Sequence, residues 1–344
     1  MTITKAIQIL LDRRSLSEGE ASMVAAEITA GIATPAQIAA LLIALRIKGE
    51  TVEEITGFVR AMRNGARRVM AHAENIVDTC GTGGDRSGTF NISTVSALVA
   101  AGAGCKVAKH GNRSISSRCG SADVLAELGV NIEMSPEQAA DCIDEIGVGF
   151  LFAPQYHPGA RHAAGVRRDL GVRTIFNMIG PLLNPAGARR QVLGVYDRRL
   201  TVPIARVLQR LGSTHCLIVH GEDGLDEITV CGRTYVTELR DGELFSYSLR
   251  PEMFGLNPTT PTELLGGDAK ENATIALGIL EGRRGPQRDV VLLNAGATIY
   301  AAGLADSLVE GVHRAALAID DGAAREALQA LVAGGWRARQ RMSA

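Results

Sequence analysis

Two polar loops hold the residues of this chain whose types and spacing suit chemistry. The first is glycine-rich, Gly81-Thr82-Gly83-Gly84-Asp85, and Asn91, Ser93 and Thr94 follow it at the head of an apolar segment. Glycine reaches left-handed backbone angles cheaply, so this loop predicts a tight turn from a strand into a helix. Asn, Ser and Thr side chains cap helices, and the amides at a helix N-terminus favour an anion. The loop is therefore a candidate phosphate-binding site.

The second loop follows the next predicted strand and adds positive charge and hydroxyl donors. It reads Lys109-His110-Gly111-Asn112-Arg113, and Ser114, Ser116, Ser117 and Ser121 come after it. The alternative is that the glycine-rich turn simply joins a strand to a helix and binds nothing. Two loops of like character, each after a strand within one short segment, outweigh that alternative. We therefore predict that the two loops form one phosphate cradle.

Neither of the common nucleotide-binding motifs fits the glycine-rich loop. A mononucleotide loop of the form GxxxxGK[ST] requires a lysine directly after its glycines, and none is present here. The dinucleotide fingerprint requires a third glycine three residues after Gly83, where the chain has Arg86. Both of these nucleotide sites are therefore excluded.

The first seventy residues contain only helix signals. Capping boxes at Ser17-x-x-Glu20 and Thr51-x-x-Glu54, and a proline-led start at Thr34-Pro35, precede apolar stripes at helical spacing. We predict four short amphipathic helices here. Four such helices bury little by themselves, so their surplus apolar face is expected to meet a partner subunit or the rest of the chain.

From Ile76 onward strand and helix signals alternate, which predicts a mostly parallel sheet with crossover helices. The predicted strands are 76–80, 105–109, 149–152, 191–196, 215–220 and 290–294. Residues 154–187 interrupt the alternation with several prolines, and we expect this excursion to pack on the N-terminal helices. Asp241-Gly242 suits a tight turn and predicts a hairpin of residues 234–239 and 243–249.

The composition narrows the class of protein. The chain has 344 residues, of which 46% are hydrophobic and 21% charged, as expected for a globular protein of one or two domains. A formal net charge of −1 supplies no global attraction to nucleic acid or to an anionic membrane, and neither partner is expected. The six cysteines form no CxxC pair, so neither zinc nor a disulfide framework is indicated. With no recognisable leader or membrane-spanning run, a cytoplasmic enzyme is expected.

Several long motifs resemble the anthranilate phosphoribosyltransferase family of tryptophan biosynthesis. GTGGD, NIST, KHGNR and GSAD occur in that family's order, followed by HPGARHAAGVRRDLGVRTIFNMIGPLLNP, DGLDE and GGDAKENA, so the resemblance covers almost the whole chain. It implies an α/β fold of the nucleoside phosphorylase and phosphoribosyltransferase type. A small all-helical domain would comprise residues 1–72 and 160–186. A larger domain, with a mostly parallel sheet flanked by helices, would comprise residues 73–159 and 187–344, and the protein would be a homodimer through the helical domain.

The resemblance implies transfer of the phosphoribosyl group from phosphoribosyl pyrophosphate to the amine of anthranilate, with release of pyrophosphate. The residues that it implies for the sugar donor are Gly81, Gly84, Asp85, Thr89, Asn91, Ile92, Ser93, Thr94, Lys109, His110, Gly111, Asn112, Arg113, Ser114, Ser116, Ser117 and Ser121. An amine is already a nucleophile when neutral, so no catalytic acid or base is assigned. The expected mechanism is positioning with charge stabilisation.

An adjacent acidic pair, Asp226-Glu227, follows the predicted strand 215–220. In a loop two neighbouring carboxylates can converge on one ion, and magnesium prefers oxygen ligands. Taken alone, such a pair is more typical of a solvated acidic loop. The resemblance to the family implies instead that Ser93, Asp226 and Glu227 hold Mg²⁺.

The acceptor carries a carboxylate beside its amine, and a guanidinium binds a carboxylate in fork geometry. The nearby candidates are Arg161, Arg167, Arg168 and Arg173. Periodicity does not separate them. The residues that the resemblance places at anthranilate are Gly81, His110, Asn112, His157 and Arg167, although a lone histidine is also commonly structural.

Two positions depart from the family pattern. Arg86 stands where glycine is frequent, and Cys119 stands in RCGSAD where serine is common. The nearest alternative is a pyrimidine nucleoside phosphorylase, and the KHGNR and DGLDE motifs argue against it. A non-enzymatic nucleic-acid-binding relative would show a basic stripe, which the near-zero net charge and the acidic pair disfavour.

Overall fold

Four capped helices open the chain. The structure is a computed structural model that describes residues 1–114 and 118–342. The opening helices are α1 (Ile3–Leu11), α2 (Glu18–Thr29), α3 (Pro35–Lys48) and α4 (Val52–Asn64). Capping boxes form at Ser17, Thr34 and Thr51, each with the Glu or Gln three residues later, because the two side chains satisfy each other's free amides. The predicted helical start of the chain is therefore confirmed.

Seven strands and eleven further α-helices follow α4 in the described residues. In chain order they are β1 (Val77–Gly81), α5 (Ile92–Gly102), β2 (Val107–Gly111), α6 (Ser121–Glu127), α7 (Pro136–Asp141), β3 (Val148–Phe152), α8 (Ala153–Tyr156), α9 (Arg161–Leu170), α10 (Phe176–Ile179), β4 (Arg190–Gly194), α11 (Thr201–Arg210), β5 (His215–Gly221), β6 (Thr234–Arg240), β7 (Glu243–Leu249), α12 (Ala269–Leu280), α13 (Pro286–Ala302), α14 (Leu308–Asp320) and α15 (Ala323–Met342).

The strands form one mostly parallel sheet in the order β3-β2-β1-β4-β5-β6-β7. The first five of these are parallel, and the hairpin β6–β7 adds two antiparallel strands. β1 lies between β2 and β4, with Val77 in register with Val107 and Arg190. The loops that leave β1, β2, β4 and β5 therefore share one edge of the sheet. A helical N-terminal part and a larger, mostly parallel α/β part confirm the predicted fold class.

Alternate residues of the central strands enter two different apolar cores. In β5, Leu217 and Val219 pack with α5, α13 and the C-terminal helices, whereas Cys216 and Ile218 pack with the N-terminal helices, α9, α10 and α11. Successive side chains of a strand point to opposite faces, so these two cores cover both faces of the sheet. A sheet covered on both faces needs strands that are apolar throughout, which explains the run Cys216–Val219.

One predicted strand is wrong. Residues 290–294 lie inside α13, whose residues from Val290 to Ala302 are all buried. A helix that is apolar all round and a short buried strand leave the same pattern in sequence, so periodicity does not separate them. The other predicted strands agree with the structure to within two residues at each end. None of the helices in the described ranges unites the length and apolar character that crossing a bilayer requires.

Candidate functional site

The glycine-rich loop leaves β1 at the shared edge of the sheet. Thr82 N–H donates to the carbonyl of Gly194 at 2.9 Å, so the loop starts beside the end of β4. Gly83, Gly84 and Arg86 then adopt left-handed angles, with φ of +69°, +77° and +62°. Only glycine takes such angles without strain, which accounts for the two glycines and leaves Arg86 as the strained exception. The backbone N–H groups of Thr82 and Gly83 both donate to segments outside this loop.

The acidic loop after β5 lies directly over this turn. Asp226 Oδ2 accepts the N–H of Gly83 at 2.7 Å. A Cβ built on Gly81 would overlap the Asp226 carboxylate, and one built on Gly194 would overlap the Asp226 carbonyl. The last residues of β1 and β4 must therefore be glycine, because the acidic loop occupies the space of a side chain at both positions.

Asn91 directly precedes α5, but its side chain does not cap the helix. Its side chain makes no capping hydrogen bond, contrary to the sequence prediction. Instead Nδ2 donates to the carbonyl of Cys119 at 3.2 Å, and Oδ1 accepts from Asn272 Nδ2 at 2.9 Å. Asn91 thus joins the loop before α5 to the loop before α6 and to α12, which leaves the first turn of α5 without a side-chain cap of its own.

Glu227 faces the start of α5. Burial raises the pKa of Glu227 to about 7, while the Lys109 charge and the hydroxyl and N–H of Ser93 favour the carboxylate form. A carboxylate at this position satisfies an otherwise free amide and the positive end of the helix. Ser93 and Glu227, both predicted metal ligands, are therefore brought together.

Lys109 lies beneath the same point. Its side chain is only 3% exposed, and Nζ donates to the Thr79 carbonyl at 2.7 Å and to Ser93 Oγ at 3.3 Å. A buried ammonium requires compensating partners, and the neighbouring carboxylates of Asp78 and Glu227 supply the charge. Lys109 is therefore not a solvated surface charge, and its contact with a phosphate stays a prediction.

The rest of the second loop is held by α6. Asn112 N–H donates to Ser121 Oγ at 3.2 Å, and a Cβ on Gly111 would overlap that hydroxyl. The Arg113 guanidinium pairs with Asp123 at 2.8 Å, and Ser114 N–H donates to the same carboxylate at 3.1 Å. Ser116 and Ser117, which the sequence also predicts at this site, lie outside the described residues.

The remaining residues that were predicted to bind the sugar donor differ in the groups that they offer to a ligand. Thr89 is half-buried and pairs with Leu265 in an isolated bridge. The Ile92 side chain packs in the apolar core and its N–H donates to the Phe90 carbonyl, so little of this residue remains for a ligand. Thr94 is 2% exposed, with a buried hydroxyl that has no hydrogen-bond partner among the described residues.

Three carboxylates gather where the acidic and glycine-rich loops meet. Burial raises the pKa of Asp226 well above its usual range, and the charges of Asp85 and Glu227 raise it further. Asp85 also has a buried oxygen, Oδ2, without a partner in the described part of the chain. Like charges held together out of water favour either a proton or a cation.

The donor set suits a hard divalent cation. Carboxylate and hydroxyl oxygens are the ligands that Mg²⁺ prefers, and Asp226, Glu227 and Ser93 supply them. Within the part of the chain that the structure describes, His, Cys, Asp and Glu side chains form no group of three or more able to hold a metal ion. Mg²⁺ usually takes only one or two carboxylates and completes its shell with waters and substrate phosphates, so the residues present fit an ion shared with a phosphorylated substrate.

Asn294 holds the acidic loop from the opposite side. Its Oδ1 accepts the N–H of Ile228 at 2.9 Å, and its Nδ2 donates to the Ile228 carbonyl at 2.8 Å. The side chain is fully buried in α13. Sequence reasoning missed this residue because it treated 290–294 as a strand, and a single asparagine in an apolar run carries no signal of its partner.

The four candidate arginines have different partners. Arg161 is exposed, Arg168 is exposed beside Asp169, and Arg173 donates to the Gly84 carbonyl. Arg167 stacks over the Phe176 ring at 5.2 Å, and burial lowers its pKa. Among the described residues Arg167 has no ion-pair partner, which leaves a half-buried guanidinium available to an anion.

His110 and His157 form an edge-to-face pair with ring centroids 5.3 Å apart. Burial lowers the pKa of His110 to about 3 and that of His157 to about 4, so both rings are neutral near pH 7. Nε2 of His110 and both ring nitrogens of His157 are buried without a well-formed hydrogen bond among the described residues, although backbone groups of Gly180 and Leu183 lie close enough to act on the two rings. Unpaired buried nitrogens cost free energy, so this pair is a candidate contact for a polar ligand.

Matches to family models cover most of the chain. Residues 73–325 match the model described as "Glycosyl transferase family, a/b domain", and residues 4–66 match "Glycosyl transferase family, helical bundle domain". The chain is 54% identical over 332 residues to an anthranilate phosphoribosyltransferase of Thioalkalivibrio sulfidiphilus, covering 96% of this chain and 98% of the relative. It is 56% identical over 331 residues to one of Anaeromyxobacter dehalogenans, with the same coverage.

Solved structures of the same name share the fold over nearly their full length. The crystal structure of anthranilate phosphoribosyltransferase from Thermus thermophilus matches with a TM-score of 0.92 at 46% identity, covering 96% of this chain and 99% of that one. The Saccharomyces cerevisiae enzyme in complex with PRPP and Mg matches with a TM-score of 0.89 at 28% identity, covering 97% and 98%. Its complex with 4-fluoroanthranilate matches with a TM-score of 0.87 at 27% identity, with the same coverage. The chain belongs to the anthranilate phosphoribosyltransferase family.

Proposed function

We propose that this protein transfers the 5-phosphoribosyl group of phosphoribosyl pyrophosphate to the amine of anthranilate, releasing pyrophosphate, in tryptophan biosynthesis. The observation that carries the proposal is the meeting of the glycine-rich loop, the start of α5 and the acidic pair at one edge of the sheet, linked by the bond from Gly83 N–H to Asp226. Backbone donors, a buried lysine and oxygen ligands at one point suit a diphosphate with its cation.

The sugar donor is proposed to lie between the two polar loops. The glycine-rich loop supplies backbone N–H groups. Lys109 supplies a buried positive charge, which its hydrogen bonds to Thr79 and Ser93 hold in position. Asn112 and Ser121, which are bonded to each other, line the far side. Ser116 and Ser117 remain proposed contacts on the strength of the sequence resemblance alone.

Magnesium is proposed to be held by Asp226, Glu227 and Ser93. Mg²⁺ bound there would offset the negative charge of the diphosphate as the bond to ribose C1 breaks. Burial raises the pKa values of both carboxyls, and the charges of Asp85 and Glu227 raise that of Asp226 further, so a cation bound there would be stabilised. The yeast relative in complex with PRPP and Mg supports this use of the metal.

Arg167 is proposed to hold the anthranilate carboxylate, with His110, His157, Gly81 and Asn112 around the ring. The bound acceptor then presents its neutral amine to ribose C1. The C1–N bond forms as the C1–oxygen bond to pyrophosphate breaks, and the amine proton passes to water. The residues contribute by orientation and charge. Neither histidine is required as a base, since burial lowers their pKa values to about 3 and about 4 and makes both rings weak proton acceptors.

The test is loss of anthranilate fluorescence in the presence of phosphoribosyl pyrophosphate and Mg²⁺. We expect turnover that needs all three components and releases one pyrophosphate for each anthranilate consumed. Thymidine with inorganic phosphate serves as the parallel assay for the nucleoside phosphorylase alternative. Phosphorolysis of thymidine without consumption of anthranilate would overturn the proposal.

Domain division, assembly and location are proposed on separate grounds. We propose a small helical domain of residues 1–72 and 160–186 and a larger domain of 73–159 and 187–344.

A homodimer through the helical domain is supported by three exposed apolar side chains on adjacent N-terminal elements. They are Leu11, Ile32 and Ile47, which are 70%, 72% and 74% exposed. Ile47→Glu should separate the two subunits and so lower the molar mass measured by light scattering.

A cytoplasmic location is supported by the six free cysteine thiols, because the cytoplasm keeps thiols reduced.

A further inference from the structure

Arg173 contacts the glycine-rich loop from outside the phosphate cradle. Its Nη2 donates to the carbonyl of Gly84, and a Cβ built on Gly84 would lie 3.6 Å from the same nitrogen. Gly84 is one of the left-handed residues of the turn. The guanidinium therefore binds a loop carbonyl whose direction depends on that unusual backbone conformation.

Tyr196 fixes the guanidinium in place. The Arg173 guanidinium carbon lies 4.0 Å from the centroid of the Tyr196 ring, close to stacking distance. Tyr196 in turn donates its backbone N–H to Thr82 Oγ1 at 3.1 Å, so it touches the other end of the same loop. Arg173 thus binds the loop at Gly84, and Tyr196 binds it at Thr82. These two contacts flank Gly83, whose N–H donates to Asp226.

Arg173 and Tyr196 lie next to the N-terminal helices and to the proposed anthranilate side of the site. Arg173 follows α9, the helix that carries Arg167 and packs in the core shared with α2 and α3. Burial raises the pKa of the Tyr196 hydroxyl, and the charges of Arg46 and Glu50, at the end of α3, also act on it. A shift of the segment that follows α9 therefore reaches the glycine-rich loop through Arg173.

We propose that Arg173 is a positioning residue, which together with Tyr196 holds the glycine-rich loop in its phosphate-binding conformation before any substrate is bound. The role deepens the proposed function and rests on it for its catalytic consequence. The structural part of the role does not depend on which substrates the enzyme uses. The hydrogen bond to Gly84 distinguishes Arg173 from Arg161, Arg167 and Arg168, for which the described residues show no hydrogen bond to this loop.

The test is hydrogen–deuterium exchange of the ligand-free protein, followed through peptides that cover residues 81–90. We expect exchange there to be at least tenfold faster in Arg173→Ala and in Tyr196→Leu than in the unsubstituted protein. Tyr196→Phe keeps the aromatic face and should preserve slow exchange. Arg168→Ala, an exposed arginine of α9, is the matched control and should leave the loop unchanged. Thermal unfolding of each variant confirms that it is folded.

Kinetics provide the second readout. In Arg173→Ala we expect KM for phosphoribosyl pyrophosphate to rise about 10-fold or more while KM for anthranilate stays within about twofold, with partial recovery in Arg173→Lys. Unchanged exchange at residues 81–90 in both Arg173→Ala and Tyr196→Leu would overturn the proposal, even if KM rises, because Arg173 would then be a direct substrate ligand. Inactivity of the unsubstituted protein with these substrates would instead overturn the proposed function and leave the exchange result standing.

Discussion

Asp226 Oδ2 lies 2.7 Å from the backbone nitrogen of Gly83, and this bond joins the acidic loop after β5 to the glycine-rich loop after β1. The two loops are 143 residues apart in sequence and meet because β1 and β5 both flank β4. The proposed metal ligands and the proposed phosphate donors are thereby placed in one hydrogen-bonded unit. A change in the carboxylate should consequently alter metal use and donor binding together.

Removing either acidic charge should weaken the use of magnesium. We expect Asp226→Asn and Glu227→Gln each to lower turnover on the order of 100-fold and to raise the Mg²⁺ concentration needed for half-maximal rate, because a neutral amide is a poorer ligand. The measurement is a magnesium titration of the initial rate at saturating substrates. Glu222→Gln, an exposed acid of the same loop, is the control. An unaltered magnesium requirement in both variants would remove the metal role from the pair.

The buried Glu227 should make ligand-free stability fall as pH rises. Its pKa is raised by burial from 4.5 to about 7, so the folded state binds its proton more tightly than the unfolded state does. The protonated Glu227 contributes its full stabilisation below about pH 4.5. This contribution to the free energy of unfolding, up to about 3 kcal/mol, is lost as pH rises toward 7. Relative to the unsubstituted protein, Glu227→Gln should therefore gain stability between pH 5 and pH 7.

Urea unfolding of both proteins at several pH values measures this difference directly. The buried histidines, whose pKa values are lowered by burial, act in the opposite sense: their contribution is lost as pH falls below about 6.5. Because both proteins contain these histidines, their effect cancels in the comparison. Added Mg²⁺ should stabilise the unsubstituted protein more at pH 7 than at pH 5. Parallel stability curves for the two proteins would contradict the assigned titration.

Arg167 should be specific for the acceptor. Loss of a charge-assisted hydrogen-bonded pair is worth about 1.5–3 kcal/mol, so Arg167→Ala should raise KM for anthranilate about 10- to 150-fold. KM for phosphoribosyl pyrophosphate should change by less than about threefold. Arg168→Ala is the control, since it is exposed beside Asp169. Steady-state kinetics in both substrates measure the split, and equal increases for the two would refute the assignment.

Much of the site's location was predictable because its signals are local. Glycines needing left-handed angles, hydroxyls at a helix start and a basic loop after a strand are each legible within a few residues, and parallel strands bring their carboxyl ends to one edge. Lys109 and Ser93 accordingly meet as expected. The place of Glu227 beside them was implied only by the family resemblance, since an acidic pair alone is more typical of a solvated loop. The capping role given to Asn91 was wrong, because its partners, Cys119 and Asn272, lie far along the chain.

The unpredicted parts depend on distant contacts. Helical periodicity places Arg161, Arg167 and Arg168 on α9 but does not reveal that Arg167 stacks on Phe176. Nor does it reveal that Arg173, three residues beyond the helix, binds Gly84. Asn294 was missed because a buried helix and a buried strand share an apolar pattern, and its partner is 66 residues away. The need for glycine at the end of β4 is equally invisible, since it comes from the acidic loop crossing over it.

That crossing gives the sharpest steric prediction. Gly194→Ala would place a methyl group inside the Asp226 carbonyl, and the clash is with backbone, which has no alternative rotamer. We expect a loss of stability of about 1–3 kcal/mol and, because the acidic loop is displaced, a fall in turnover that added Mg²⁺ reverses only in part. Gly19→Ala in α2 is the matched control, as its new Cβ would meet nothing within 4 Å apart from its chain neighbours and the backbone of its own helix, and it should be neutral or slightly stabilising. Thermal unfolding and a magnesium titration on both variants decide the matter: a fully active Gly194→Ala enzyme with the normal magnesium requirement would mean that the position of Asp226 over β4 is not needed for turnover.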